Sequence, residues 1–425
     1  MQLVEYFYLD NKNESFERLT ELSNAAKNLY NQTLYTVIEH YENNNKFLFY
    51  SDLDKIMKTM TNLEGNINYR LLPAVVSQQI LILLDKNIKS FYRALRDYEK
   101  HPEKYKARPQ FPKYLRNDRF LLIYTNQSSK ITENEIIFSL GLKIRVPKFI
   151  TIRNKDFNQI RILPTNRNRF KVEIVYTIQE KELKPNNDRY IGIDLGIDNF
   201  ATCVTNIGDR PLIFSGKEIK SYNKWYNKKK AKLSSILNKQ NKYNSKQLEN
   251  IEFNRKCKIE DIFHLYSARI VQYCLKNNIN TLIIGRNKDW KQDCNIGKVN
   301  NQKFIQIPFL KFINQLKYKC KLYGINFIET EESYTSKVDH LANAPLNKSG
   351  AIGKRIKRGF YVSTKISKKN RAVTINSDIN GAIGIMRKVV DEVLNEIVNS
   401  GQLFCPLRLN TRRIKFIHDC YIIFG

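Results

Sequence analysis

Two aspartates far apart in the chain carry the clearest chemical signal in this sequence. Asp194 closes the run YIGIDLG, and Asp378 lies in TINSDINGAIGIMRK. Hydrolysis of a phosphodiester calls for carboxylates that hold two Mg²⁺ ions roughly 3.5–4 Å apart, one activating water and the other stabilising the leaving oxygen. Oxygen donors suit that hard cation. In YIGIDL the alternation sends Ile191 and Ile193 to one face of a strand and Asp194 to the other. Asp378 stands where a helix begins. Each residue also has a plainer explanation: Asp194 as an ordinary strand-end carboxylate, and Asp378 as a helix N-cap, a place Asp fills in any protein.

The elements around them narrow the choice. Three strand-like runs follow Tyr190 in RYIGIDLGIDNFATCVTNIGDRPLIFSG, separated by turn residues. A basic stretch from Lys217 to Lys258 holds thirteen Lys/Arg against three Glu. An amphipathic helix then carries Ile259, Ile262, Phe263, Tyr266, Ile270 and Cys274, and the apolar strand TLIIG spans 281–285. A helix through Phe309, Phe312, Ile313, Leu316 and Cys320 leads to the strand INFIE at 325–329. A last helix carries Ala382, Ile385, Met386, Val389, Val393 and Ile397. Three strands, helix, strand, helix, strand, helix is the order of an RNase H fold. Within it the first carboxylate belongs on the central first strand and the last at the start of a late helix, which Asp194 and Asp378 satisfy.

Upstream, the chain changes character twice. A strand-like start from Val4 to Leu9 gives way to helices from about 15 to 98, the clearest running from Pro73 through Val76, Ile80, Leu83, Phe91 and Leu95. Pro102, Pro109 and Pro112 then break the pattern, and five short apolar runs follow: FLLIY (120–124), EIIFS (135–139), KIRV (143–146), IRILP (160–164) and RFKVEIVYTI (169–178). They predict a small antiparallel barrel. The segment 401–425 alternates between apolar and basic and predicts no element.

With 72 Lys+Arg against 41 Asp+Glu, the formal charge of +31 implies a polyanionic partner. Aromatic residues make up 12%, with 24 Tyr, and so supply stacking surfaces of the kind that grip single-stranded nucleic acid. No run of about 18 apolar residues spans a bilayer and the start is not that of a signal peptide, so a cytoplasmic protein without a membrane partner is expected. The seven cysteines are isolated, with no CxxC pair, and predict reduced thiols rather than disulfides or a zinc ribbon.

Between about 217 and 390 the chain resembles the TnpB/OrfB family of transposon proteins, relatives of the type V CRISPR effectors and of the eukaryotic Fanzor proteins. The likeness is carried by KSYNKWYNKKKAKL (220–233), LIIGRNKDWKQDCNIGKVNNQKFIQIPF (282–309), ESYTSK (332–337), GKRIKRG (353–359) and INSDINGAIGIMRK (375–388). LPAVVSQQILILLDKNIKSFY (72–92) and RPQFPKY (108–114) extend it upstream. The resemblance implies an α/β multidomain protein: a RuvC nuclease domain of RNase H fold, an N-terminal helical recognition domain and a small antiparallel wedge barrel. It divides the chain into wedge (1–14), recognition helices (15–108), wedge (109–186), RuvC first part (187–337), a target-nucleic-acid-binding insertion (338–374), the last RuvC helix (375–400) and a tail (401–425). The activity implied is RNA-guided, Mg²⁺-dependent cleavage of double-stranded DNA beside a short motif, with Mn²⁺ able to substitute. The partners implied are a guide RNA, one protein per RNA, and target DNA, with association to the nucleoid when DNA is bound.

Two departures from the family stand out. Most members carry a middle catalytic Glu at the end of the fourth strand, where this chain has Gly285. In the branch resembled here, the glutamate before the Ser-Tyr-Thr-Ser run looks like its relocated replacement, which makes Glu332 the third ligand, with Glu329, Glu331 and Asp289 as competitors. Neighbouring strands lie about 4.8 Å apart, so a Glu just past the fifth strand can lean across the space a glycine leaves. The second departure is the insertion, which has no cysteine; no zinc is expected, and Asp339 and His340 read as surface residues. Phosphate contacts are expected from Lys228, Lys229, Lys230 and Lys232, and from Lys354, Arg355, Lys357 and Arg358. Two other readings compete: a nuclease-dead RNA-guided repressor, suggested by Gly285, and a transposase, whose usual order of acids is Asp, Asp, Glu rather than Asp, Glu, Asp.

Overall fold

The computed structural model describes residues 1–152, 157–166, 168–286, 305–357, 359–366, 370–390 and 401–415. The chain divides into two compact units at residues 179 and 180.

The first unit contains strands β1 (Gln2–Asp10), β2 (Leu122–Thr125), β3 (Ser129–Ile131), β4 (Glu135–Phe138), β5 (Lys143–Arg145), β6 (Gln159–Asn166) and β7 (Arg169–Thr177). Its helices are α1 (Phe16–Asn44), α2 (Tyr50–Met57) and α3 (Ala74–Lys100). The strands expected to close one barrel form two sheets instead, an antiparallel one in the order β1-β7-β6-β2 and a smaller one of β3, β4 and β5. Short connections let β3, β4 and β5 pair with their immediate neighbours, whereas β2 pairs with β6 across that excursion. Leu19, Leu29 and Leu34 of α1 and Ile80 and Leu84 of α3 share one core with Ile160, Phe170 and Ile174 of the sheet. Amphipathic spacing gives each helix one apolar face, and the sheet supplies the surface that removes it from water.

The second unit contains β8 (Tyr190–Leu195), β9 (Asn199–Thr205), β10 (Leu212–Ser215), β11 (Thr281–Gly285), β12 (Asn326–Thr330), β13 (Lys354–Lys357), β14 (Phe360–Ile366), β15 (Ala372–Ile375) and β16 (Leu407–Leu409). Its helices are α4 (Lys217–Lys239), α5 (Lys246–Lys276), α6 (Phe309–Leu322), α7 (Ser377–Arg387) and α8 (Thr411–Lys415). The six-stranded sheet runs β12-β11-β8-β9-β10-β16. The meander β8-β9-β10 is antiparallel, and β11 and β12 are added in parallel. This is the strand order expected from the sequence, extended by β16 from the tail, which pairs in parallel with β10 through Leu212 and Leu407.

Helices cover both faces of that sheet. Ile191 and Ile193 point to α5 and α6, where Phe200, Phe263, Phe309 and Phe312 stack with centroids 4.7–5.8 Å apart. On the other face Ile379, Ala382, Ile383 and Met386 of α7 pack on Tyr190, Val204 and Ile283. β13, β14 and β15 form a separate antiparallel sheet before α7. Among the described cysteines none forms a disulfide, and Cys203, Cys274 and Cys320 are buried. No described helix is long and apolar enough to cross a membrane.

Candidate active site

The period-two pattern of β8 decides where Asp194 points. With Ile191 and Ile193 in the core beneath α5 and α6, the intervening residues face α7. Asp194 meets α7 at Gly381: a methyl group built on that glycine would lie 2.8 Å from Asp194 Oδ2. The helix therefore needs a residue without a side chain there.

Asp378 sits in the first turn of α7 but does not cap it. The cap is Asn376, whose side-chain oxygen accepts from the backbone N–H groups of Asp378 and Ile379, at 2.9 and 3.4 Å. The Asp378 carboxylate is thus released from that task. Its Oδ2 accepts from Asn199 Nδ2 at 2.6 Å, a contact from the start of β9 that the sequence did not signal.

Glu332 lies just past β12. β11 is paired in parallel with both β8 and β12, with Ile284 opposite Ile193 and Gly285 opposite Thr330. Gly285 and Asp194 are therefore the next residues of adjacent strands. A Cβ at Gly285 would stand 2.6 Å from Glu332 Oε1 and 2.8 Å from Glu332 Cγ. The side chain of Glu332 occupies the volume that a residue other than glycine would fill. The Thr335 hydroxyl and N–H both bond to the Glu332 carbonyl, at 2.9 and 3.2 Å, and fix the turn that sets this direction.

The other acids are engaged elsewhere. Glu329 meets Arg286 at 2.5 Å and Lys317 at 3.5 Å, cations that hold its carboxyl below its usual range although burial works the other way. Glu331 is exposed and pairs with Lys388 at 2.8 Å. Asp289 lies outside the described residues.

Burial foremost, then the negative charges of Asp378 and Glu332, push Asp194 well above the usual carboxylate range, while Arg355 and the Leu195 backbone oppose that shift. Burial likewise raises Glu332 to about 7. Desolvated carboxylates that repel one another are relieved by protons or by cations. Among the described residues no three His, Cys, Asp or Glu side chains cluster tightly enough to hold an ion by themselves. That still suits Mg²⁺, which is commonly held by one or two carboxylates together with waters and substrate phosphates.

Asp339 and His340 are wholly buried, not on the surface as the sequence suggested. The chain after Glu332 folds back against α7, where Gly384 leaves room for Thr335 and His340. Asp339 accepts from the Ser363 hydroxyl at 2.7 Å and from the Thr364 N–H and hydroxyl at 2.6 and 2.9 Å. The His340 ring bonds to the Thr335 carbonyl at 2.7 Å and accepts from Arg387 at 3.0 Å. Burial, with help from Arg387, lowers that imidazole to about 4 and keeps it neutral.

The basic residues fall into two groups. Lys228, Lys229, Lys230 and Lys232 are exposed along α4, with Lys230 paired to Glu252 at 2.9 Å. Lys354, Arg355 and Lys357 are exposed on β13, and Arg358 lies outside the described residues. Of these, Arg355 lines a cavity that Asp378 and Asn199 also line.

Residues 173–291 match the family model described as OrfB_IS605, probable transposase, and residues 309–385 match that of the Cas12f1-like TNB domain. The TnpB-like protein ORF457 of Acidianus two-tailed virus is 24% identical over 222 residues, 50% of this chain and 45% of the viral protein. The match thus spans less than half the length of that relative. Among solved structures, the Cas12f1–sgRNA–target DNA complex is 14% identical with a TM-score of 0.33, covering 90% of this chain and 98% of that one. The mini-RNA-guided endonuclease CRISPR-Cas phi3 is 11% identical with a TM-score of 0.43, covering 91% and 92%.

Proposed function

Because the chain belongs to the TnpB family, we propose that it is an RNA-guided DNA endonuclease that hydrolyses phosphodiesters at Asp194, Glu332 and Asp378. The observation that carries this reading is the seating of Glu332 in the space above Gly285, on the strand beside Asp194. A chain that had simply lost its middle acid would have no reason to fill that space with another. Two Mg²⁺ ions, which Asp194, Glu332 and Asp378 would hold together with water and substrate phosphate, would supply an activated water and a stabilised leaving oxygen. The protein's part is positional. β8 presents Asp194, the turn after β12 presents Glu332, and α7 presents Asp378, which Asn199 orients. The surrounding apolar strands keep Asp194 and Glu332 short of water and so raise their demand for cations.

Guide RNA and target DNA would be held through phosphate contacts from Lys228, Lys229, Lys230 and Lys232 on α4 and from Lys354, Arg355, Lys357 and Arg358, with sequence read by base pairing. The order Asp, Glu, Asp along the chain argues against the Asp, Asp, Glu arrangement of a transposase that joins DNA ends, although the matching family carries that description.

The test uses the protein purified with the RNA that accompanies it from its own locus, mixed with a matched plasmid and Mg²⁺. Cleavage is expected, and Asp194→Ala, Glu332→Gln and Asp378→Ala should each reduce it by more than about a hundredfold, beyond the loss typical of an outer-shell contact. DNA binding should persist in all three variants. Tight binding of matched DNA with no cleavage by the unaltered protein would support the repressor reading instead.

A further inference from the structure

The second unit contains a cavity of about 690 Å³ that Asp378 lines, and most of its other lining residues take no part in the carboxylate chemistry. Its size lies within the ~300–1,000 Å³ range of small-ligand sites. Arg355 of β13 and Arg408 of β16, both exposed, contribute two guanidinium groups to its lining. Phe360 and Phe404 contribute two rings that remain 47% and 43% exposed, and buried Ile375, Ile379 and Leu403 complete an apolar floor.

Exposed aromatic rings beside cations have a specific use. Every nucleobase offers a flat face that stacks on an aromatic ring, and every nucleotide brings a phosphate that a guanidinium can grip from two donors. Lys357 already stands 4.6 Å over the Phe360 ring, adding positive charge at the same wall. An apolar ligand would make no use of the two guanidinium groups, of which Arg408 also donates to Asn199 Oδ1 at 3.4 Å, and a free anion would not require the rings. The combination fits a nucleotide. Since Asp378 and Asn199 line the same cavity, a nucleotide seated there continues directly into the carboxylate site.

We propose that this cavity is a nucleotide subsite: a base next to the scissile phosphate of a single DNA strand stacks on Phe360 and Phe404, while Arg355 and Arg408 hold the adjoining phosphates. The choice of DNA rests on the nuclease reading above; the stacking chemistry does not. The subsite joins a strand of the tail to a hairpin of the insertion, two segments without a shared motif.

Photocrosslinking tests it. In the Asp194→Asn ribonucleoprotein bound to matched DNA, 5-iododeoxyuridine placed along the displaced or target strand should crosslink to Phe360 or Phe404, as mapped by mass spectrometry. Phe360→Leu/Phe404→Leu should reduce the adduct roughly tenfold, with total DNA bound falling by much less because the guide–target duplex still holds it. Adducts elsewhere only, or adducts at these rings from iodouridine in the guide RNA alone, would overturn the proposal. A second arm uses the protein with a short iodinated single-stranded oligodeoxynucleotide and no target duplex. Crosslinks at the two rings there support the subsite even if the ribonucleoprotein cuts nothing, and their absence counts against it even if cleavage is robust. Melting temperatures of the leucine variants, expected to match the parent, separate a lost ring from a lost fold.

Discussion

Gly285 and Glu332 are coupled through a single pocket of space. An alanine at 285 would place its methyl group 2.6 Å from both Glu332 Oε1 and Ile385 Cδ1, so these side chains must shift and the carboxylate is moved from its place. We therefore expect Gly285→Ala to reduce cleavage nearly as far as Glu332→Ala, although alanine removes no functional group. Conversely, Gly285→Glu in the Glu332→Ala background returns a carboxylate to the neighbourhood of Asp194, and cleavage should recover at least tenfold over Glu332→Ala alone. Plasmid cleavage rates of the four proteins decide the matter; full activity in Gly285→Ala would show that Glu332 is not the working acid. The site around this pair was readable in part from the sequence. Alternation in YIGIDL predicts the side on which Asp194 lies, and β8 obeys it. The contribution of Asn199 was not readable, because an amide five residues downstream has no spacing rule that aims it at a carboxylate on a distant helix.

At the scale of elements, regular periodicity was the legible part. The meander, β11, β12 and the helices α5 to α7 all follow from it, because each buries one repeating apolar face. Short or polar segments were not legible. β16 is only Leu407–Leu409, too brief to show a period, and Asp339 and His340 are hidden in a polar run whose burial depends on partners far along the chain. Lys319 is a comparable case within α6. It is 3% exposed, donates to the His264 carbonyl and the Ser267 hydroxyl at 3.0 Å each, and burial lowers its amine to about 7.

Between pH 7 and about 10.5 the unfolded chain keeps a proton at Lys319 that the folded chain gives up, so stability due to this residue rises with pH across that window. Below pH 7 the folded protein bears a buried charge. Replacing it with Met removes a penalty of about 5 kcal/mol and two hydrogen bonds worth roughly 1 kcal/mol each, for a net gain of about 3 kcal/mol. Lys319→Met should therefore melt higher than the parent at pH 6, and the gap should shrink by pH 9.5. Equal destabilisation at both pH values would refute this account.

Across the whole molecule, the net charge of +31 would, on the proposed function, set how nucleic acid is held. Phosphate contacts release counterions, so the logarithm of affinity falls linearly with the logarithm of salt, by about 0.9 for each phosphate neutralised on duplex DNA. Lys228→Ala/Lys229→Ala/Lys232→Ala, which leaves the Lys230–Glu252 pair in place, should flatten that slope by up to about 3 and weaken matched and unmatched targets alike. Filter binding between 50 and 300 mM salt measures it, and an unchanged slope would remove α4 from the nucleic-acid surface.

The addition of β16 has a further consequence. Strand β10 would otherwise present an open row of backbone donors and acceptors, which a second chain could adopt as a template. By occupying that row, Leu407–Leu409 leaves only a three-residue strand at this margin of the sheet, a poor template for a second chain, and simultaneously delivers Arg408 to the cavity wall. Deleting everything after residue 400 would therefore cost the protein more than a tail: a bare sheet margin and a lost cation would arrive together, and turbidity on concentration should announce the first before any assay detects the second.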